Sequence, residues 1–177
     1  MNETLVREGK DGRQILVRRA ILDDVPRVID NWQGILDERK YIATGHVSDE
    51  QKERFKTRVN DNNVLLAVAE VDGKVVGHLS LGRYSLQEET RHVLYLDMGV
   101  VDGYRETGVG TALMDFAVQW ARERRVGKIT LSVFSTNTRA LKLYEKFGYE
   151  VEGVRRRQFV IDGSFVDEIL MGLFLSS

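Results

Sequence analysis

The sequence predicts an α/β domain of the α+β sandwich type, a mixed and mostly antiparallel sheet of about seven strands with about four helices packed against it. Three observations predict it. Asp72-Gly73 and Asp162-Gly163 each divide two strand-forming runs, the pattern of a tight hairpin. Residues 107–121 repeat apolar side chains at helical spacing. The 177 residues are 42% hydrophobic and 30% charged, enough apolar surface for one domain with one core.

The elements follow in order. QILVRRA (14–20) reads as a first strand, followed by a helix from about Asp23 with Val25, Val28, Ile29, Trp32, Ile35 and Leu36 on one face. Pro26 is the only proline and falls in that helix's first turn, where it is tolerated. SDEQKERFKTRVND predicts a more exposed helix capped near Ser48. The period then changes to that of strands, at VLLAVAEV (64–71), KVVGHLSLG (74–82) and HVLYLDMGVV (92–101). The third is apolar at nearly every position, as a central strand covered on both faces should be. A helix from Thr107 buries Val109, Ala112, Leu113, Phe116, Ala117, Trp120 and Ala121 and turns Asp115, Gln119, Arg122 and Glu123 outward. Gly127 ends it. KITLSVF (128–134) is a strand, a short helix capped by Asn137 stops at Gly148, and strands 149–160 and 165–174 close the chain.

Composition removes several functions. A net charge of −1 offers nucleic acid no general attraction. The chain has no cysteine, which excludes disulfides, thiolate ligands and a cysteine acyl-enzyme. His46, His78 and His92 lack metal-ligand spacing, so no metal site is expected. No apolar run reaches the roughly 20 residues of a membrane span, and MNETLVREGKDGRQ has no signal-peptide core. A cytoplasmic location without membrane or nucleic-acid partners is the expectation.

DGYRETGVGTAL (102–113) joins a strand to the long helix with little side-chain bulk. Unpaired N–H groups at such a turn, together with the helix dipole, favour an anion. A dinucleotide fold would need a third glycine where Leu113 stands, and a P-loop would need a GK[ST] end; neither is present. The turn alone leaves close packing and phosphate binding both open.

R-x-x-G-x-G at 105–110 is preceded by LDMGVV and followed 27 residues later by N-x-x-A-x-x-L-Y-x-x-F-G-Y. Together these resemble the GCN5-related N-acetyltransferase (GNAT) superfamily, and the order of elements resembles that family over almost the whole chain. VVGHLSL and the tail EVEGVRRRQFVIDGSFVDEILMGLFL (150–175) further resemble bacterial members that acetylate small amines, including amino acids.

The resemblance implies that strands 92–101 and 128–134 are parallel and splay apart around acetyl-CoA. It implies that the turn comprising Arg105, Glu106, Thr107, Gly108, Val109, Gly110 and Thr111 holds the diphosphate through main-chain N–H groups. Met98, Gly99 and Val100 would pair with the pantetheine arm, and the Val100 N–H would polarise the thioester carbonyl. Asn137 would hydrogen-bond the pantetheine while also capping its helix. Tyr144, by spacing alone a core aromatic, would protonate the departing thiolate. Asp97 is the candidate base, weighed against a carboxylate bonded only to neighbouring backbone; His78 is expected to be structural.

The expected reaction is direct acetyl transfer to the primary amine of a small molecule. Protein N-terminal or lysine acetylation and a silent acyl-CoA-binding module are the alternatives. Ser132 stands where protein N-terminal acetyltransferases resembling this pattern often carry glutamate, which weakens the first alternative. Loops 37–47 and 83–91, with Tyr41, His46, Tyr84, Glu88 and Glu89, would flank the acceptor. Arg155–Arg157 read as a solvated surface run, and homodimers are common in the family.

Overall fold

The computed structural model describes residues 4–42 and 45–175. Its strands are β1 (Thr4–Glu8), β2 (Gln14–Arg19), β3 (Leu65–Val71), β4 (Lys74–Arg83), β5 (Val93–Val100), β6 (Lys128–Phe134), β7 (Glu150–Ile161) and β8 (Ser164–Phe174). Its helices are α1 (Val25–Asp37), α2 (Asp49–Asn60), α3 (Val109–Glu123) and α4 (Thr138–Lys146). The sheet runs β1-β2-β3-β4-β5-β6-β8-β7. Among the described residues only β5 and β6 pair in parallel; the other neighbours are antiparallel.

The eighth strand is β1, absent from the sequence reading. TLVRE is short and almost wholly exposed, so it carries no burial alternation to betray it. Register with β2 holds it, from Thr4–Arg18 to Glu8–Gln14. Arg7 adds an ion pair to Asp115 of α3 at 2.7 Å.

Two apolar layers sandwich the sheet. Leu65, Ala67 and Ala69 of β3 face the cluster built on Val109, Leu113, Phe116 and Trp120 of α3. Leu66 and Val68 face the other, with Val28, Trp32 and Leu36 of α1 and Phe55 of α2. This alternation is the period-2 signature of a strand covered on both sides. The α3 positions named from spacing are all buried. Ser48 caps α2 as expected, accepting from the Gln51 N–H while its own N–H donates to Gln51 Oε1.

Both Asp-Gly pairs adopt positive φ at each residue, the backbone of a two-residue hairpin turn. β7 is an exposed edge broken by register shifts near Gly153 and between Arg155 and Phe159. Such irregularity blunts an edge against pairing with another chain. Within the Arg155–Arg157 run, Arg155 pairs with buried Glu168 at 2.9 Å and Arg157 stacks on the Phe165 ring.

Candidate functional site

β5 and β6 pair only from Val93–Lys128 to Tyr95–Thr130 and then separate. β6 meanwhile keeps its register with β8 through Phe134–Glu168, and β5 stays paired with β4 through Val100. Beyond Tyr95, therefore, β5 has one open edge. The Val101 N–H donates to the Val76 carbonyl. By antiparallel alternation the main chain of Asp97 and Gly99 then faces β4, while that of Leu96, Met98 and Val100 faces the opening. A cavity of about 740 Å³ fills the gap and reaches both faces of the sheet.

Gly99 lines the cavity, but by this alternation its N–H and carbonyl are directed to His78 on β4, so it offers the pantetheine arm no main-chain bond. The glycine serves packing instead: a Cβ there would stand 2.6 Å from Ile35 Cδ1 and 3.1 Å from Trp32. Glycine at this point lets α1 sit directly on β5.

The glycine turn adopts left-handed backbone at Gly103, Glu106 and Gly108, with φ of +81°, +65° and +108°. Gly108 is the N-cap of α3, so the helix opens at Val109 rather than Thr107. The first helical bond runs from the Ala112 N–H to the Gly108 carbonyl. The amides of Val109, Gly110 and Thr111 precede that ladder and have no helical acceptor, and Gly108, Gly110 and Thr111 line the cavity. Such a turn suits an anion.

Arg105, expected at the cofactor, has its guanidinium committed to the protein. Its Nε donates to the Val100 carbonyl at 2.9 Å, and its two terminal nitrogens clasp Glu38 at the end of α1. It therefore fixes the turn against β5 and α1 and has few donors left for a ligand. The Val100 carbonyl, on the open edge, is thereby already occupied.

On the far wall, Asn137 Oδ1 accepts from the Ala140 N–H and caps α4, while the residue also lines the cavity. Tyr144 follows two turns later, 7% exposed and packed in the α3 cluster, with its ring centroid 5.6 Å from that of Tyr149. It too lines the cavity. Burial, with smaller contributions from Asp97 and Tyr95, pushes its phenol well above the ordinary range, so it holds its proton.

The opposite face of β5 presents Tyr95 and Asp97. Tyr95 meets Ser132 of β6 hydroxyl to hydroxyl at 3.0 Å, a link just past the last paired residues. Burial raises the Asp97 carboxyl, opposed chiefly by Arg58 of α2. Trp32, Ile35, Tyr41, Phe159 and Glu168 complete this aromatic and acidic half of the cavity. His78 lies outside it, 1% exposed, edge-on to Trp32 and Phe55, with neither ring nitrogen hydrogen-bonded. Of the loops expected at the acceptor, Tyr41 reaches the cavity; Tyr84 is exposed and Glu88 pairs with Arg91. Ala43 and Thr44 of the first loop lie outside the described residues.

The sequence reading missed Lys10, Trp32, Tyr95, Phe159 and Glu168 as cavity residues, and Arg58 as Asp97's cation. Tyr95 was legible, since it shares a strand face with Asp97 at two-residue spacing. The others come from distant elements and carry no local signal.

Comparison with known proteins agrees with this architecture. The model of the acetyltransferase (GNAT) family matches residues 31–149. The L-amino acid N-acetyltransferase AaaT of Escherichia coli is 33% identical over 135 residues, covering 74% of this chain and 82% of that protein. An N-alpha-acetyltransferase of Sulfurisphaera tokodaii is 27% identical over 164 residues, covering 86% and 90%. A Salmonella typhimurium protein solved with its cofactor acetyl-CoA shares the fold at a TM-score of 0.84, with 19% identity and coverage of 92% and 95%.

Proposed function

Because the chain belongs to the acetyltransferase (GNAT) family and is an acetyl-CoA-dependent N-acetyltransferase, we propose that its acceptor is the primary amine of a small molecule, an amino acid foremost. The observation that supports this reading best is the gap itself. Open main-chain groups of β5 line it, a protonated phenol stands on one face of the sheet, and a carboxylate with an arginine 4.0 Å away stands on the other.

Acetyl-CoA supplies an activated acyl group as a thioester. The amides of Val109, Gly110 and Thr111 hold its diphosphate, and Glu106, Thr107 and Gly108 shape that turn. The main chain of Met98 aligns the pantetheine arm, with Asn137 beside it, because the Val100 carbonyl is taken by Arg105. Asp97 takes the proton of the incoming ammonium directly or through water. The Val100 N–H stabilises the oxygen on which negative charge develops as the C–N bond forms. Tyr144 gives its proton to the sulfur as the C–S bond breaks, and the second proton, shed by the nitrogen as the amide forms, returns to the phenolate. Two steps of proton traffic thus use opposite faces of one sheet.

Protein N-terminal acetylation is the second reading, favoured by the 27% identical N-alpha-acetyltransferase. Against it, Ser132 offers the acceptor no carboxylate and is engaged by Tyr95. Thiol release from acetyl-CoA across amino acids, polyamines, aminoglycosides and short peptides separates the readings. Turnover confined to free amino acids or other small amines supports the first, and turnover confined to peptides supports the second. Thermal stabilisation by acetyl-CoA with no turnover on any amine leaves only a binding module.

A further inference from the structure

The turn between β1 and β2 is docked on the glycine turn. The Lys10 N–H donates to the Thr107 carbonyl at 2.8 Å, and a Cβ on Gly9 would stand 3.0 Å from the same oxygen. Gly9 is buried, so this contact is a fixed seam. The exposed Lys10 side chain is thereby placed on the rim of the cavity, beside Glu106 and Gly108.

The neighbouring charges are already matched. Asp11 accepts two bonds from the Arg13 guanidinium, at 2.6 and 3.0 Å, and Glu106 pairs with Arg139. Among the described residues Lys10 forms no ion pair. Across the same cavity, α4 presents Lys142 and Lys146 one turn apart, also exposed and without ion pairs among the described residues. Lysines left unmatched on both walls, where helical amides already favour an anion, form a cationic mouth.

Resting on the acetyl-CoA reading, we propose that Lys10 is a phosphate ligand of the cofactor, reaching from the amino-terminal hairpin to the group held by the glycine turn, with Lys142 and Lys146 closing on the phosphates from the other wall. The ligand chemistry is a phosphate ester, either the diphosphate or the 3′-phosphate of coenzyme A. The hairpin's seam with Thr107 favours the diphosphate.

The test is calorimetric binding of coenzyme A and 3′-dephospho-coenzyme A to the full chain and to Lys10→Met and Lys10→Arg. Lys10→Met is expected to weaken coenzyme A about tenfold at about 20 mM salt, with the loss shrinking at about 500 mM salt and Lys10→Arg restoring most of it. An equal loss for the dephospho compound assigns the diphosphate; a loss confined to intact coenzyme A assigns the 3′-phosphate. Unchanged affinity in Lys10→Met, or a loss indifferent to salt, overturns the proposal. Failure of the wild-type chain to bind coenzyme A overturns the cofactor reading instead. The Lys142→Met/Lys146→Met double variant is expected to show the same salt-dependent loss, and no change there removes α4 from the clamp.

Discussion

Arg58 Nη1 stands 4.0 Å from Asp97 Oδ2 and donates to Ser80 Oγ at 2.5 Å, so the carboxylate beside the open edge of β5 takes its cation from α2. The guanidinium is itself largely withdrawn from water. Asp97 is raised by burial and lowered by Arg58 and then Arg54, both on α2. His78 on β4 stays neutral above about 4, and the Tyr95 and Tyr144 phenols are raised by burial and also stay neutral.

In its proposed role as base Asp97 would work only when ionised, so kcat/KM should rise with pH through its ionisation. Arg58→Gln removes the main stabiliser of the anion and should move this acid limb to higher pH, with Arg58→Lys returning it toward wild type. Asp97→Asn should abolish the limb and lower kcat/KM by about a hundredfold or more. A pH–rate profile unmoved by Arg58→Gln would show that the pair does not tune the reaction.

Tyr144→Phe removes a hydroxyl and leaves the ring in the α3 cluster. A raised phenol is a weak acid, but in the proposed step a thiolate leaving beside the buried ring would be penalised by the same desolvation. The expected outcome is a fall in kcat of about a hundredfold with unchanged acetyl-CoA affinity. Single-turnover rates and calorimetry read the two separately; a kcat retained when chemistry limits turnover removes Tyr144 from the mechanism.

The two turn glycines should respond differently. Gly108 sits at φ +108°, where any Cβ is strained, so Gly108→Val should cost about 1–2 kcal/mol of stability as well as cofactor affinity. Gly110 has ordinary helical backbone, and a Cβ there would meet Leu143 Cδ2 of α4 at 3.3 Å, across the crevice. Leu143 must yield by a few tenths of an ångström, so Gly110→Ala should lower Tm less than Gly108→Val does while weakening acetyl-CoA binding. Thermal unfolding with and without coenzyme A distinguishes them, and an unaltered ligand-induced shift in Gly110→Ala contradicts the crevice assignment.

His78 has its pKa lowered to about 4 by burial and, secondarily, by Arg58. The unfolded chain binds this proton near 6.5 and the folded chain does not, so stability should rise with pH between about 4 and about 6.5. The full effect is about 3 kcal/mol. His78→Phe keeps the edge-on contacts with Trp32 and Phe55 and removes two unpaired nitrogens. Denaturant unfolding at pH 5 and pH 7 should show a flatter dependence and a gain at pH 5. An unchanged slope would mean that His78 is protonated in the folded state.

What the sequence determined by itself was whatever is written locally. The hairpins at Asp72-Gly73 and Asp162-Gly163, the buried stripe of α3, the Ser48 and Asn137 caps and the Gly148 stop all depend on backbone sterics and on residues within a turn of each other. The motif at 105–110 and the one beginning at Asn137 marked both walls of the crevice for the same reason. β1 escaped because an exposed edge strand leaves no burial pattern.

Only the tertiary structure decided how these pieces confront one another. It turned the main chain of Gly99 away from the gap, tied Arg105 to Glu38 sixty-seven residues away, and brought Arg58 of α2 to Asp97. It also carried Lys10 to the glycine turn. Strand alternation makes a one-residue change of register reverse every main-chain direction and every face, and register is set by partners distant in the chain. Residue identities name the groups available to the site, and pairing across the sheet decides which of them face the gap.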